Sequence, residues 1–83
     1  ESMAAAAEHL ERAVRADPGF ALAWSGLSDL RSLAWTVGFS RDPALVDRAI
    51  EAANRAVAAD PESAEAQTSL ARTQWLRREW RAS

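Results

Sequence analysis

The sequence predicts an all-α chain, and three observations carry that prediction. Alanine dominates, with leucine and four tryptophans supplying bulk; alanine is the strongest helix former because it loses no side-chain entropy and buries no polar group. β-Branched residues are few and tyrosine is absent, which removes residue types that a sheet favours. Apolar residues recur with helical spacing in segments that stop at Asp-Pro or Gly.

Taken in order, the first helix is expected from Met3 to Ala16. Ala6, Leu10, Ala13 and Val14 share one face, while Glu8, Glu11, Arg12 and Arg15 lie on others. Glu8–Arg12 and Glu11–Arg15 are i,i+4 pairs in the favourable order. Asp17-Pro18 ends the helix, because proline lacks an N–H and disfavours the α conformation at the residue before it. Gly19 permits a sharp turn.

A second helix is predicted from Phe20 to Thr36, with Trp24, Leu27, Leu30, Leu33 and Ala34 apolar. Gly26 and Ser28 cost helix propensity, so packing against a close neighbour is expected to decide their identity. Gly38 breaks the connection 37–42, and Asp42-Pro43 restarts the chain as N-cap and first helical residue. The third helix should span Pro43 to Ala59, with Leu45, Val46, Ala49, Ile50, Ala53, Ala56 and Val57 inward and Glu51–Arg55 an attractive i,i+4 pair. Asp60-Pro61 closes it. Ser63 is the expected N-cap of a fourth helix, Ala64 to Trp80, whose apolar content is Leu70, Ala71, Trp75, Leu76 and Trp80.

Composition excludes several functions. Eighty-three residues allow one small domain or a piece of a larger one, burying only roughly 60% of its unfolded surface. All ten basic residues are arginine, and the formal charge is −2, so no field gathers nucleic acid or an anionic membrane. Cysteine is absent, which rules out disulfides, thiolate chemistry and the common structural zinc sites. No apolar run reaches the roughly 20 residues that span a bilayer, and Glu1–Ala7 lacks a signal-peptide pattern. A cytoplasmic setting is the expectation.

Within the chain, Ala6–Pro18 (AAEHLERAVRADP) is echoed by Ala49–Pro61 (AIEAANRAVAADP). Ala6/Ala49, Glu8/Glu51, Arg12/Arg55, Ala13/Ala56, Val14/Val57, Ala16/Ala59, Asp17/Asp60 and Pro18/Pro61 coincide. A helical pattern that recurs and stops at the same Asp-Pro marks a repeat array.

These residues resemble the tetratricopeptide repeat (TPR), a unit of about 34 residues made of two antiparallel helices, A and B. Trp24, Leu27 and Ser28 occupy the bulky, leucine and small positions of a helix A, as Gln67, Leu70 and Ala71 do in the next. Ala49 and Ala56 occupy the small positions of a helix B closed by Pro61; Ala6, Ala13 and Pro18 do so in the one before. The resemblance implies a right-handed TPR-like superhelix of about four helices (B1, A2, B2, A3). It divides the chain into helix B of a first repeat (1–18), a complete repeat with an inserted A–B loop (19–61) and helix A of the next (62–83).

The chain departs from the family in three ways. Pro18 and Pro61 lie 43 residues apart, so about nine are inserted around Trp35 to Pro43. Arg31 and Gln74 stand where a bulky apolar residue is usual, with Leu30 and Trp75 expected to fill the space. Ala53 replaces a larger residue. HEAT-type helical pairs fit the spacing but not the Asp-Pro stops. More narrowly, ALAWSGLSDL and AEAQTSLARTQWLRREW look like repeat regions of bacterial signalling proteins carrying a nucleotide-cyclase, kinase or winged-helix domain.

No constellation for catalysis is legible. His9 is the only histidine, and its neighbour Glu8 points elsewhere on a helix. There is no phosphate loop and no nucleophile beside a base, so no enzyme activity, cofactor or metal is expected. Asp42, Asp47, Glu51, Glu62 and Glu65 read as caps and solvated faces, and Arg77, Arg78 and Arg81 as helix-end cations.

The family's groove is lined by its A helices, which implies Leu22, Ser25, Asp29, Ser32 and Leu33, then Glu65, Thr68, Arg72, Trp75 and Leu76. Tryptophan and arginine are enriched at binding hot spots. Ser25 and Asp29, with no lysine in the chain, predict no clamp for a peptide's C-terminal carboxylate. The implied function is a non-catalytic scaffold whose partner is a protein or peptide, not nucleic acid or membrane. The alternative is a structural, regulatory or dimerisation spacer in a larger protein. Arrays bury their faces on neighbours, so open ends exposing Leu10, Leu70, Leu76 or Trp80 predict a dimer or higher oligomer. The apolar connection of Trp35, Val37 and Phe39 is expected to fold back over the helices.

Overall fold

A computed structural model describes residues 2–82. It is all-helical, with α1 (Met3–Ala16), α2 (Ala21–Thr36), α3 (Pro43–Ala59) and α4 (Ala64–Ala82), and no strand among the described residues. The helix ends follow the punctuation in the sequence. Ser2 caps α1 by accepting from the Ala5 N–H at 3.1 Å. Asp42 caps α3 at Ala44, 3.0 Å, and Ser63 accepts from the Ala66 N–H at 3.2 Å. At the end of α2, Gly38 adopts φ 78°. The Gly38 N–H then reaches the Trp35 carbonyl and the Phe39 N–H the Ala34 carbonyl, at 3.1 and 2.9 Å. This is the Schellman closure, which needs a left-handed residue at that point.

The two Asp-Pro stops form the same turn twice. Asp17 has φ −142° and ψ 89°, Asp60 φ −148° and ψ 90°. Each aspartate donates its N–H to a carbonyl four residues back, Ala13 or Ala56, at 2.9 and 3.0 Å. Each carboxylate accepts from the N–H two residues on, Gly19 or Glu62, at 3.1 and 3.2 Å. The following helix sends a side chain back to the proline carbonyl: Trp24 Nε1 to Pro18 at 2.8 Å and Gln67 Nε2 to Pro61 at 2.9 Å.

Helix α2 is central, touching α1, α3 and α4. Leu10 of α1 lies against Gly26, where a Cβ would meet its methyl carbons at 3.2–3.3 Å, so the glycine lets α1 approach. Farther along, Arg31 donates to Glu11 of α1 at 3.4 Å and to the Arg48 carbonyl of α3 at 3.1 Å. Arg55 of α3 lies 5.2 Å over the Trp24 ring. Residue numbers rise on α2 as they fall on α3, so these two helices are antiparallel. α4, joined through Asp29–Ser69 and Asp29–Arg72, runs parallel to α2 where Thr36 lies near Leu76.

One core cluster is Val14, Ala23, Leu27 and Ala52, with Leu10, Ala13 and Trp24 packed on it; Val46 and Leu76 are also buried. α3 presents Ala49, Ala52, Ala53 and Ala56, all 0% exposed. A face of methyl groups lets neighbouring helix backbones approach closely.

Several expectations are corrected. Leu76 is 4% exposed, so it belongs to the interior and not to an open end. The buried face of α4 is Ala66, Ser69, Thr73 and Leu76; Ala71 and Trp75 face outward. Thr73 tolerates burial because its hydroxyl donates to the Leu70 carbonyl at 2.8 Å. Trp75 therefore does not replace the missing apolar residue at Gln74, and at Arg31 a guanidinium clamps two helices instead. Of the three attractive i,i+4 pairs expected, Glu51–Arg55 forms at 3.7 Å, whereas Glu11 turns to Arg31 on another helix. Trp35 lies in the last turn of α2 and is half-buried; in the connection, Phe39 borders a cleft against α1 and α2, yet Val37 and Phe39 remain 59% and 66% exposed.

Candidate functional site

The parallel pair α2 and α4 bounds two openings. The two helices are linked through Asp29, whose Oδ1 accepts from Ser69 Oγ at 2.9 Å and Arg72 Nη1 at 2.6 Å. Both members of the ion pair are half exposed, so its net stabilisation is under about 1 kcal/mol. Its larger effect is to fix the register of the two helices. Ser69 is buried, which makes its bond to Asp29 costlier to lose than the exposed pair.

Beside this link Asp29, Ser32, Leu33, Thr36 and Arg72 border an opening of about 380 Å³. Leu33 presents half of its side chain to solvent, while Ser32 is buried at the floor. Ser25, Ser28 and Ser32 hydroxyls have no hydrogen-bond partner among the described residues. Thr36 donates to the Ser32 carbonyl at 2.8 Å and also borders a second opening, of about 230 Å³. There Trp35 comes from the end of α2, Arg41 from the connection, and Trp75, Leu76, Glu79 and Trp80 from α4. Arg41 stands 5.2 Å over the Trp35 ring. Thr36 borders both openings, which lie along α2 and α4 from the Asp29–Arg72 link to a tryptophan-lined end; the two together are termed the groove.

The groove brings together Asp29, Ser32, Leu33, Arg72, Trp75 and Leu76 of the residues named from sequence. It does not gather the remainder. Leu22, Glu65 and Thr68 are exposed, and Ser25 is buried; none of the four borders either opening. Trp35, Thr36, Arg41, Glu79 and Trp80 were missed as a site. Trp35 and Arg41 sit at and beyond the end of α2, and Glu79 and Trp80 lie one helical turn past Trp75 and Leu76. Continuing the i,i+4 stripe of α4 from Trp75 and Leu76 would have found Glu79 and Trp80.

Elsewhere, Met3, Ala7, Leu30, Phe39 and Leu45 line an apolar cleft of about 130 Å³ between α1, α2, the connection and the start of α3. His9 is exposed. Among the described residues no group of three or more His, Cys, Asp or Glu is placed to hold a metal ion, and no helix is long and apolar enough to cross a membrane. Compared with known proteins, the chain matches no family model, no curated protein and no solved structure.

Proposed function

We propose that this chain is a non-catalytic protein-interaction scaffold of the tetratricopeptide kind, and that the groove between α2 and α4 receives a segment of a partner protein. In this reading α1, α2, α3 and α4 are helices B1, A2, B2 and A3 of a right-handed superhelix. The observation that carries it is the twofold Asp-Pro turn, each copy closed by a side chain from the fourth residue of the following helix. A junction repeated with the same hydrogen bonds is what a repeat array requires. The two helices that leave these junctions are the parallel pair that forms the groove, as A helices would.

Panning a library of random displayed peptides against the chain tests the reading. Enriched peptides are expected to lose roughly tenfold or more in affinity, about 1.4 kcal/mol, on Leu33→Asp or Arg72→Ala. Both side chains are substantially exposed, so a far-ultraviolet spectrum should confirm an intact fold. No enrichment, or peptides indifferent to both substitutions, removes this groove as the binding surface.

The exposed Val37 and Phe39 favour a second use, as a dimerisation spacer. Sedimentation should then show self-association that Phe39→Ser reduces. A monomer at high concentration would discard it.

A further inference from the structure

We infer that the tryptophan-lined end of the groove is a receptor for a cationic side chain, specifically an arginine of the partner. The inference deepens the groove reading and rests on it for the partner, while the slot's own chemistry is testable separately. Three features support it. First, Trp35, Trp75 and Trp80 border one opening, and indole faces attract guanidinium groups more strongly than other aromatic rings do. Second, Glu79 lines the same opening and has no ion-pair partner among the described residues. A carboxylate beside indoles offers a guanidinium both a π face and a charge-assisted hydrogen bond. Third, the protein already places a guanidinium there: Arg41 stacks 5.2 Å over Trp35. Arg41 comes from the connection between α2 and α3 and is exposed, so it can leave. It is a resident model of the ligand and a competitor for one of the rings. Trp75 is 56% exposed, which leaves its ring available to an incoming group.

The probe is the blocked tripeptide acetyl-Gly-Arg-Gly-amide, compared with its citrulline and glutamate counterparts. The readout is the indole N–H resonances of Trp35 and Trp75. The arginine peptide should shift both, with a dissociation constant on the order of millimolar, and citrulline should bind at least about threefold more weakly. Glu79→Gln and Trp75→Ala should each weaken the arginine peptide by about threefold or more, and Arg41→Ala should tighten it, because it vacates the Trp35 face. Equal shifts from arginine and citrulline overturn the inference. So does tighter binding of the glutamate peptide, or an Arg41→Ala variant that binds no better than wild type.

The two readings fail differently. Panned peptides that need Leu33 but ignore Glu79→Gln would keep the groove and remove the slot. Indole shifts with no enriched peptide would keep the slot and remove the groove.

Discussion

Helices α2 and α4 leave the same turn and meet different surroundings. The aspartate angles and hydrogen bonds of the two turns agree closely, and the chain then enters each helix with a side chain tied back to a proline carbonyl. Beyond that point α2 is enclosed by three helices and α4 by two. Leu27, the seventh residue of α2, is 1% exposed, while Leu70, the seventh of α4, is only partly buried. The comparison shows that the turn sets how a helix starts, and the number of neighbours sets how much of it is core.

Substitution at these paired positions should separate the two helices most strongly. Leu27→Ala is expected to cost about 2–5 kcal/mol in denaturant unfolding, because it empties a closed site. Leu70→Ala should cost less, about 1–2 kcal/mol, since its side chain is only partly buried and has room to relax toward solvent. Equal losses would mean that α4 is as enclosed as α2.

A smaller effect is expected where the helices are joined. Asp29→Ala removes the acceptor of buried Ser69 and the partner of Arg72, for about 1–2 kcal/mol. Amide exchange should quicken in α4 more than in α3. Uniform quickening would show that Asp29 supports the whole fold and not the register of one pair.

The smallest differences lie in the shared turn. Trp24→Phe removes the bond to Pro18 and weakens the Arg55 stack, costing about 1 kcal/mol. Gln67→Leu removes only the bond to Pro61, at about 0.5 kcal/mol. If both changes are silent in thermal melts, the bonds accompany the turn without holding it.

Much of the fold was legible because its signals are local. Asp17-Pro18, Gly38, Asp42-Pro43 and Asp60-Pro61 act on their own neighbours, so all four helices lie within two residues of their expected ends. Which face turns inward was legible only where the buried residues are apolar. Ser69 and Thr73 are buried through hydrogen bonds, which hydrophobic periodicity does not register, and Ala52 is too small to stand out. The partner of Glu11 was illegible for another reason: Arg31 lies twenty residues away, and only packing decides that it wins over Arg15. The groove follows the same division. Asp29, Leu33 and Arg72 could be placed by counting along a helix. Arg41 reaches Trp35 across the α2 C-terminus, and nothing in the spacing fixes that approach.

The proline carbonyl that closes each turn has a consequence for how such a chain varies. An indole N–H satisfies it in one copy and a primary amide in the other, so the constraint falls on an atom's position and leaves the residue type open. Other donors of similar reach would serve there. A turn built this way can keep its shape while its spelling changes, and its likeness to another turn is then better sought in matched acceptors than in matched letters.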